Sequence, residues 1–151
     1  MNNQYISKIS LGLTSITGVL IVQGNEGDLS IEFPALKSAN NITIQSSNSF
    51  SAPLLSTMND SLTLRSNVFE SFSTPNLTTV GGSFVVADNN KLTNISLPAL
   101  EEVKRALVIA NNTLLSKISD LPKLKKIGAN LDFHGNFSEY VGTASYLCAP
   151  C

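Results

Sequence analysis

Tryptophan is absent from this chain of 151 residues, histidine occurs once and cysteine twice. One imidazole and two thiols leave little material for a metal site or a histidine-based catalytic group. Charge is also scarce. Ten Lys and Arg against eleven Asp and Glu give 14% charged residues and a formal net charge of −1. Such a chain carries no electrostatic footprint for nucleic acid or anionic lipid. Long apolar runs are missing too. The longest, Ala106 to Ala110, has five residues, against about 20 for a transmembrane helix, so no transmembrane segment is expected. What the chain has instead is uncharged polarity: 16 Asn, 20 Ser and 11 Thr make up 47 of its residues. At 42% hydrophobic it still holds enough apolar surface for a core and is not disordered throughout. Length implies a single domain, the composition reads as β-rich, and no cofactor is expected.

Two features bear on compartment and point in opposite directions. Asn-x-Ser/Thr sequons begin at Asn41, Asn59, Asn76, Asn94, Asn111 and Asn136. Composition alone would give about three, so six is an excess that favours the secretory route. Yet Met1-Asn-Asn-Gln-Tyr-Ile-Ser-Lys8 has no apolar core of the kind a signal peptide needs, and the last residues lack the hydrophobic tail of a lipid-anchor signal. The expectation is an intracellular protein with incidental sequons, or a piece of something longer.

The prolines reveal a repeat. Five of the six fall in Pro-x-Leu triplets that begin at Pro34, Pro53, Pro75, Pro98 and Pro122. Three residues after each Leu stands an apolar residue: Ala39, Met58, Val80, Val103 and Ile127. Next come two apolar residues separated by one position, Ile42/Ile44, Leu62/Leu64, Phe84/Val86, Leu107/Ile109 and Leu131/Phe133. An Asn usually follows three residues later, at Asn67, Asn89, Asn112 and Asn136. The first copy lacks Pro but keeps Leu13, Ile16, Leu20, Val22 and Asn25; the second is one residue short, and its Asn48 falls one place late. Six copies, spaced 19 to 24 residues apart, are the signature of a solenoid. An apolar pair with one residue between puts both side chains on one face of a strand. Proline suits the connections because it fixes φ and donates no hydrogen bond. The recurrent Asn can bond the backbone of neighbouring turns where the chain leaves the sheet. Six parallel coils at about 4.8 Å would stack to roughly 29 Å.

One stretch reads differently on its own. Ala99 to Ala110 has the formers and spacing of an amphipathic helix. Its counterpart in the preceding copy, Asn76 to Ala87, contains Gly81-Gly82 and Val85-Val86, which make a poor helix and a good strand. Aligned copies share structure, so both are expected as strand.

Val80-Gly-Gly-Ser-Phe-Val-Val-Ala-Asp-Asn-Asn90 and Ile127-Gly-Ala-Asn-Leu-Asp-Phe-His-Gly-Asn136, with the connectors Pro98-Ala-Leu-Glu-Glu-Val103 and Leu77-Thr-Thr-Val80, resemble a known pattern. It is that of the receptor L-domain repeats in the fungal GPI-anchored cell-wall-organisation proteins, a family that includes the sporulation-specific wall proteins. The resemblance runs from about Ile9 to Ser138. It implies an all-β, right-handed parallel β-solenoid related to leucine-rich repeats. It also implies an extracellular ectodomain, anchored through lipid at the cell surface and needed for wall integrity, with no catalytic residue to carry over. The family's signal peptide, N-terminal cap and anchor signal are not matched, so residues 1–138 are expected as six coils of a longer solenoid and 139–151 as a non-repeat tail.

Candidate sites are few. Cys148-Ala-Pro-Cys151 has redox-motif spacing but no second Cys pair and no following helix pattern, so a tail or structural disulfide is the expectation. Asp132 and His134 would both point outward on the last strand, facing only Ala106, Val108 and Ala110 of the coil before. Seven basic residues against three acids lie between Lys91 and Lys126, and they are read as a solvated rim. On the outward face, Val85, Ala87, Val108 and Ala110 form an apolar stripe, either a docking surface or residues that simply suit strands. Among the sequons, Asn41, Asn59, Asn76 and Asn94 are expected to carry glycans if the chain is secreted. Asn136, a ladder position, is the least expected. The reading is a non-enzymatic wall glycoprotein with wall polysaccharide or wall proteins as partners and an open oligomeric state. The alternatives are a carbohydrate-active β-helix enzyme and a receptor-like binding module.

Overall fold

Each Pro-x-Leu triplet closes a tight turn in the computed structural model, which describes residues 6–24, 28–118 and 121–137, and the backbone of 139–140. Leu36, Leu55, Leu77, Leu100 and Leu124 each donate their amide to the carbonyl three residues back, at Phe33, Ala52, Thr74, Leu97 and Leu121. Proline therefore sits at the second position of every turn, where its fixed φ is wanted and a missing N–H costs nothing. The Leu that follows swings inward and is buried in all five.

The first coil carries β1 (Lys8–Ser10) and β2 (Ser15–Gln23), the second β3 (Leu29–Glu32) and β4 (Ser38–Gln45). The third has β5 (Ser47–Ser51), β6 (Thr57–Met58) and β7 (Leu62–Arg65), and the fourth has β8 (Ser71–Ser73), β9 (Thr79–Val80) and β10 (Phe84–Ala87). β11 (Asn94–Ser96), β12 (Glu102–Val103) and β13 (Leu107–Ala110) form the fifth; β14 (Lys117–Ile118), β15 (Lys126–Ile127) and β16 (Leu131–His134) form the sixth. β17 (Glu139–Tyr140) then pairs with β14, so strand pairing continues two residues beyond the last sequence repeat. Among the described residues there is no helix; the Ala99–Ala110 stretch forms β12 and β13, as its aligned neighbour required.

All pairing is parallel. β2, β4, β7, β10, β13 and β16 stack in coil order as one long side, and the two-residue strands β6, β9, β12 and β15 stack as a second. The two sides merge into one ten-stranded sheet, because β4 runs straight through where later coils bend. The second copy is one residue short between Ala39 and Ile42, so it has no residue to spend on the corner. The remaining strands line the third side.

Repeat columns become core layers. Ala39, Met58, Val80 and Val103 stack with Ile42, Leu62, Phe84 and Leu107 and with Ile44, Leu64, Val86 and Ile109, all at 0% exposure. Their counterparts at the two ends, Ile16 and Leu20 in the first coil and Ile127, Leu131 and Phe133 in the sixth, are only partly buried. Phe50 and Phe72 stack on the third side with centroids 6.1 Å apart and planes 9° from parallel, a further layer between Phe33 and Phe84.

The ladder Asn residues do what their spacing predicts. Asn67, Asn89 and Asn112 are buried. Asn89 Nδ2 donates to Leu64 O at 3.1 Å and to Asn112 Oδ1 at 3.0 Å, while Asn89 Oδ1 accepts from the Asn67 amide at 2.9 Å. The same bonds recur one coil earlier from Asn67 Nδ2 to Ile44 O, and one coil later from Asn112 Nδ2 to Val86 O. In the short second copy Ser47, not Asn48, takes the rung: it is buried and its amide donates to Asn67 Oδ1. Asn25 lies outside the described residues.

Candidate functional site

The broad outward face of the long side is the surface on which a solenoid of this kind presents chemistry. Register aligns it in three rows. The first runs Val19, Asn41, Ser61, Ser83, Ala106 and Asn130; the second Ile21, Thr43, Thr63, Val85, Val108 and Asp132; the third Gln23, Gln45, Arg65, Ala87, Ala110 and His134. The face is polar at its middle coils, apolar at coils four and five, and charged at coil six. Val85, Val108 and Ala110 are half-buried, whereas Ala87 keeps only 3% of its surface. The stripe that a partner could touch is therefore Val85, Val108 and Ala110. Ala87, which register sets between Arg65 and Ala110, contributes almost nothing.

His134 Nδ1 and Asp132 Oδ1 contact each other on this face. Across the coil boundary they meet Ala110 and Val108, which hold no proton and bind no substrate oxygen. Among the described residues no three His, Cys, Asp or Glu side chains gather in one place. Cys148 and Cys151 lie outside the described residues.

The basic run is partly neutralised across coils. Lys125 Nζ lies 3.2 Å from Glu101 and Lys126 Nζ lies 2.8 Å from Glu102. The hydrogen bond from Lys126 holds the Glu102 carboxyl below its ordinary range, and Glu102 in turn raises the Lys126 ammonium. The lysines are exposed and the glutamates half-buried, so each pair adds little to stability.

The sequons spread around the coil. Asn41 sits half-buried on the long outward face; Asn59, Asn76, Asn94, Asn111 and Asn136 are exposed. Asn76 Nδ2 rests on Pro53 O at 2.7 Å, and Asn111 Nδ2 on Asp88 Oδ1 at 3.1 Å. Asn136 shares the ladder spacing but ends the stack, and there its side chain faces solvent.

Sequence reasoning missed one backbone feature. Ser46, Ser66, Asp88 and Asn111, each directly before a ladder residue, adopt left-handed φ of 51° to 59°. This turns the chain from the long side toward the third. Asn, Asp and Ser tolerate that region better than branched residues, and the recurrent polar doublet is the signal that could have revealed it.

Comparison with known proteins adds to this geometry. The "Cell surface GPI-anchored protein" of Arthroderma benhamiae is 41% identical over 137 residues, covering 90% of this chain and 35% of that protein. "Protein ecm33" of Aspergillus fumigatus is 40% identical over 138 residues, 91% of this chain and 34% of its own length. "Sporulation-specific protein 22" of Saccharomyces cerevisiae is 32% identical over 138 residues, 91% and 30% respectively. The chain thus spans about a third of the length of these relatives. No protein-family model matches it, and no solved structure does. Matched across nine-tenths of its length, with a repeat that stacks as a six-coil β-solenoid, the chain is a homologue of fungal GPI-anchored cell-surface and sporulation-specific proteins, the group its repeat resembles.

Proposed function

We propose that this chain is the repeat body of a non-enzymatic, glycosylated cell-surface protein that contributes to cell-wall organisation and integrity. The observation that carries the reading is the 41% identity, over 90% of the chain, to a GPI-anchored cell-surface protein. The fold supports it: a stacked coil offers a long, flat, mostly uncharged surface suited to lying among wall polymers, wall polysaccharide or wall proteins being its partners. Glycans at Asn59, Asn76 and Asn94 would project from the second and third sides and the corners between them. The long outward face of coils three to six would stay clear. Two measurements in the native host test this. Surface labelling finds the protein outside the plasma membrane, with Asn59, Asn76 and Asn94 peptides glycosylated by mass spectrometry. Deleting the gene sensitises cells to wall-perturbing agents. A protein confined to the cytoplasm and unglycosylated, or a deletion with an unaltered wall, would overturn the reading.

A further inference from the structure

Charge is unevenly placed along the chain. Residues 91–126 hold seven basic residues against three acids, and the rest of the chain holds three against eight. The corner between the second side and the long side carries part of this excess. Between β9 and β10 it begins with Gly81-Gly82, and between β15 and β16 with Gly128-Ala129. Between β12 and β13 the same place holds Lys104-Arg105. Backbone bonds fix the alignment: the Arg105 amide donates to Gly82 O, and the Ala129 amide to Arg105 O, both at 3.1 Å.

The glycines suit this corner because the backbones pass closely. A Cβ at Gly81 would fall on Asn59 O, and one at Gly128 on Lys104 O. Two long cations thus rise between stretches of nearly bare backbone. Both are exposed, and among the described residues neither side chain makes an ion pair or a hydrogen bond. The carboxylates of the same coil are taken: Glu102 by Lys126 Nζ at 2.8 Å, and Glu101 by Lys125 Nζ at 3.2 Å. Asp60, on coil three, accepts from Ser61 Oγ at 3.1 Å. Adjacent like charges repel, and nothing in the chain offsets this pair. Coil five is flanked by coils four and six, so the corner owes nothing to an end of the stack.

We infer that Lys104 and Arg105 form an anion site for a phosphate ester carried on a carbohydrate chain. The guanidinium is a planar fork that matches two phosphate oxygens, and the ammonium adds a point charge beside it. A phosphate monoester has three strong acceptor oxygens, enough for both cations at once. A carboxylate has two, which the fork alone fills. The glycines leave room for sugar rings to cross the neighbouring coils without meeting a large side chain. Asp60, two coils or about 9.6 Å away, limits the ligand: a densely charged polyanion would meet it, whereas a sparsely phosphorylated chain would not. The carbohydrate carrier rests on the cell-surface reading above; the preference for phosphate does not.

Titration of the whole purified chain, followed by its amide NMR shifts, tests this. The probes are a maltooligosaccharide bearing one phosphate, the same sugar bearing one carboxylate, the unmodified sugar, and inorganic phosphate. The phosphorylated sugar should bind more tightly than each of the others and shift amides around Lys104 and Arg105. Lys104→Gln with Arg105→Gln should weaken it about tenfold or more, with the melting temperature unchanged. Arg105→Lys keeps the charge but loses the fork, so it should erase the margin over the carboxylate. Lys91→Gln with Lys123→Gln removes the same charge elsewhere in the basic stretch and should change affinity by less than about twofold. Equal binding of the carboxylated sugar, shifts centred elsewhere, or equal weakening by the Lys91 and Lys123 variant overturns the proposal. Inorganic phosphate binding as tightly as the phosphorylated sugar overturns the carbohydrate carrier. Because purified protein is used, failure of the cell-surface reading in the host would leave these results standing.

Discussion

A single side chain shows how the stack is held. Asn89 bonds four groups that have no water to turn to: the Asn67 amide, Asn67 Nδ2, the Leu64 carbonyl and Asn112 Oδ1. A buried polar group left without a partner costs about 1–3 kcal/mol, so Asn89→Ala should lose about 3 kcal/mol or more in denaturant unfolding. Asn48→Ala, one place off the ladder and exposed, should change little. Thr74 is the opposite case. It is fully buried in a column otherwise filled by Phe33, Ala52, Leu97 and Leu121, and its hydroxyl has no hydrogen-bond partner. Thr74→Val should raise stability by about 1 kcal/mol, read as a higher melting temperature. The ladder was legible in the sequence because Asn recurs at one spacing. Ser47 was not, since a one-residue deletion shifted the register and only the three-dimensional stack shows which side chain meets Asn67. The left-handed residues were legible only as a polar doublet, since Ser, Asp and Asn share a conformation there without sharing a side chain.

At the scale of strands and turns, the coil depends on backbones passing closely. A Cβ at Gly81 would fall well inside contact distance of the Asn59 carbonyl, and one at Gly128 would meet Lys104 O. The obstacle is backbone, which cannot swing aside, so Gly81→Ala should cost about 2 kcal/mol or more in chemical denaturation. Gly18→Ala, with nothing near, should be tolerated. The cross-coil pair of β12 and β15 predicts a mild pH dependence at both extremes. The Glu102 pKa is lowered on folding, so its contribution is present above the ordinary glutamate value of about 4.3 and fades as acid protonates it. The Lys126 pKa is raised, so its share is present below about 10.4 and fades in alkali. Glu102→Gln should flatten the acid limb of a melting-temperature profile and leave the neutral region nearly unchanged. Aligned copies made these strands readable where single-segment propensity favoured a helix, because six copies share one backbone and only one copy has the helical composition.

For the molecule as a whole, the family and the six coils were legible, while the state of the outward face was not. Alternation says which residues point out; it does not say how much of a small side chain its neighbours cover. Ala87 and Ala110 share a row, yet one is buried and the other half-open. If Val85, Val108 and Ala110 meet a wall partner, Val85→Lys with Val108→Lys should abolish retention on isolated cell walls while the melt stays cooperative; unchanged retention would make the stripe ordinary strand surface. The arrangement of the ladders has a mechanical meaning as well. Backbone bonds between coils run along the stacking axis, so tension along that axis loads every bond of one junction together and passes undiminished to the next. Extension of such a body is then governed by its weakest junction, not by the sum of its contacts. The parallel register slips between Ile16 and Val19, where β2 meets β4, so tension across that junction would be shared unevenly by the bonds on either side of the slip.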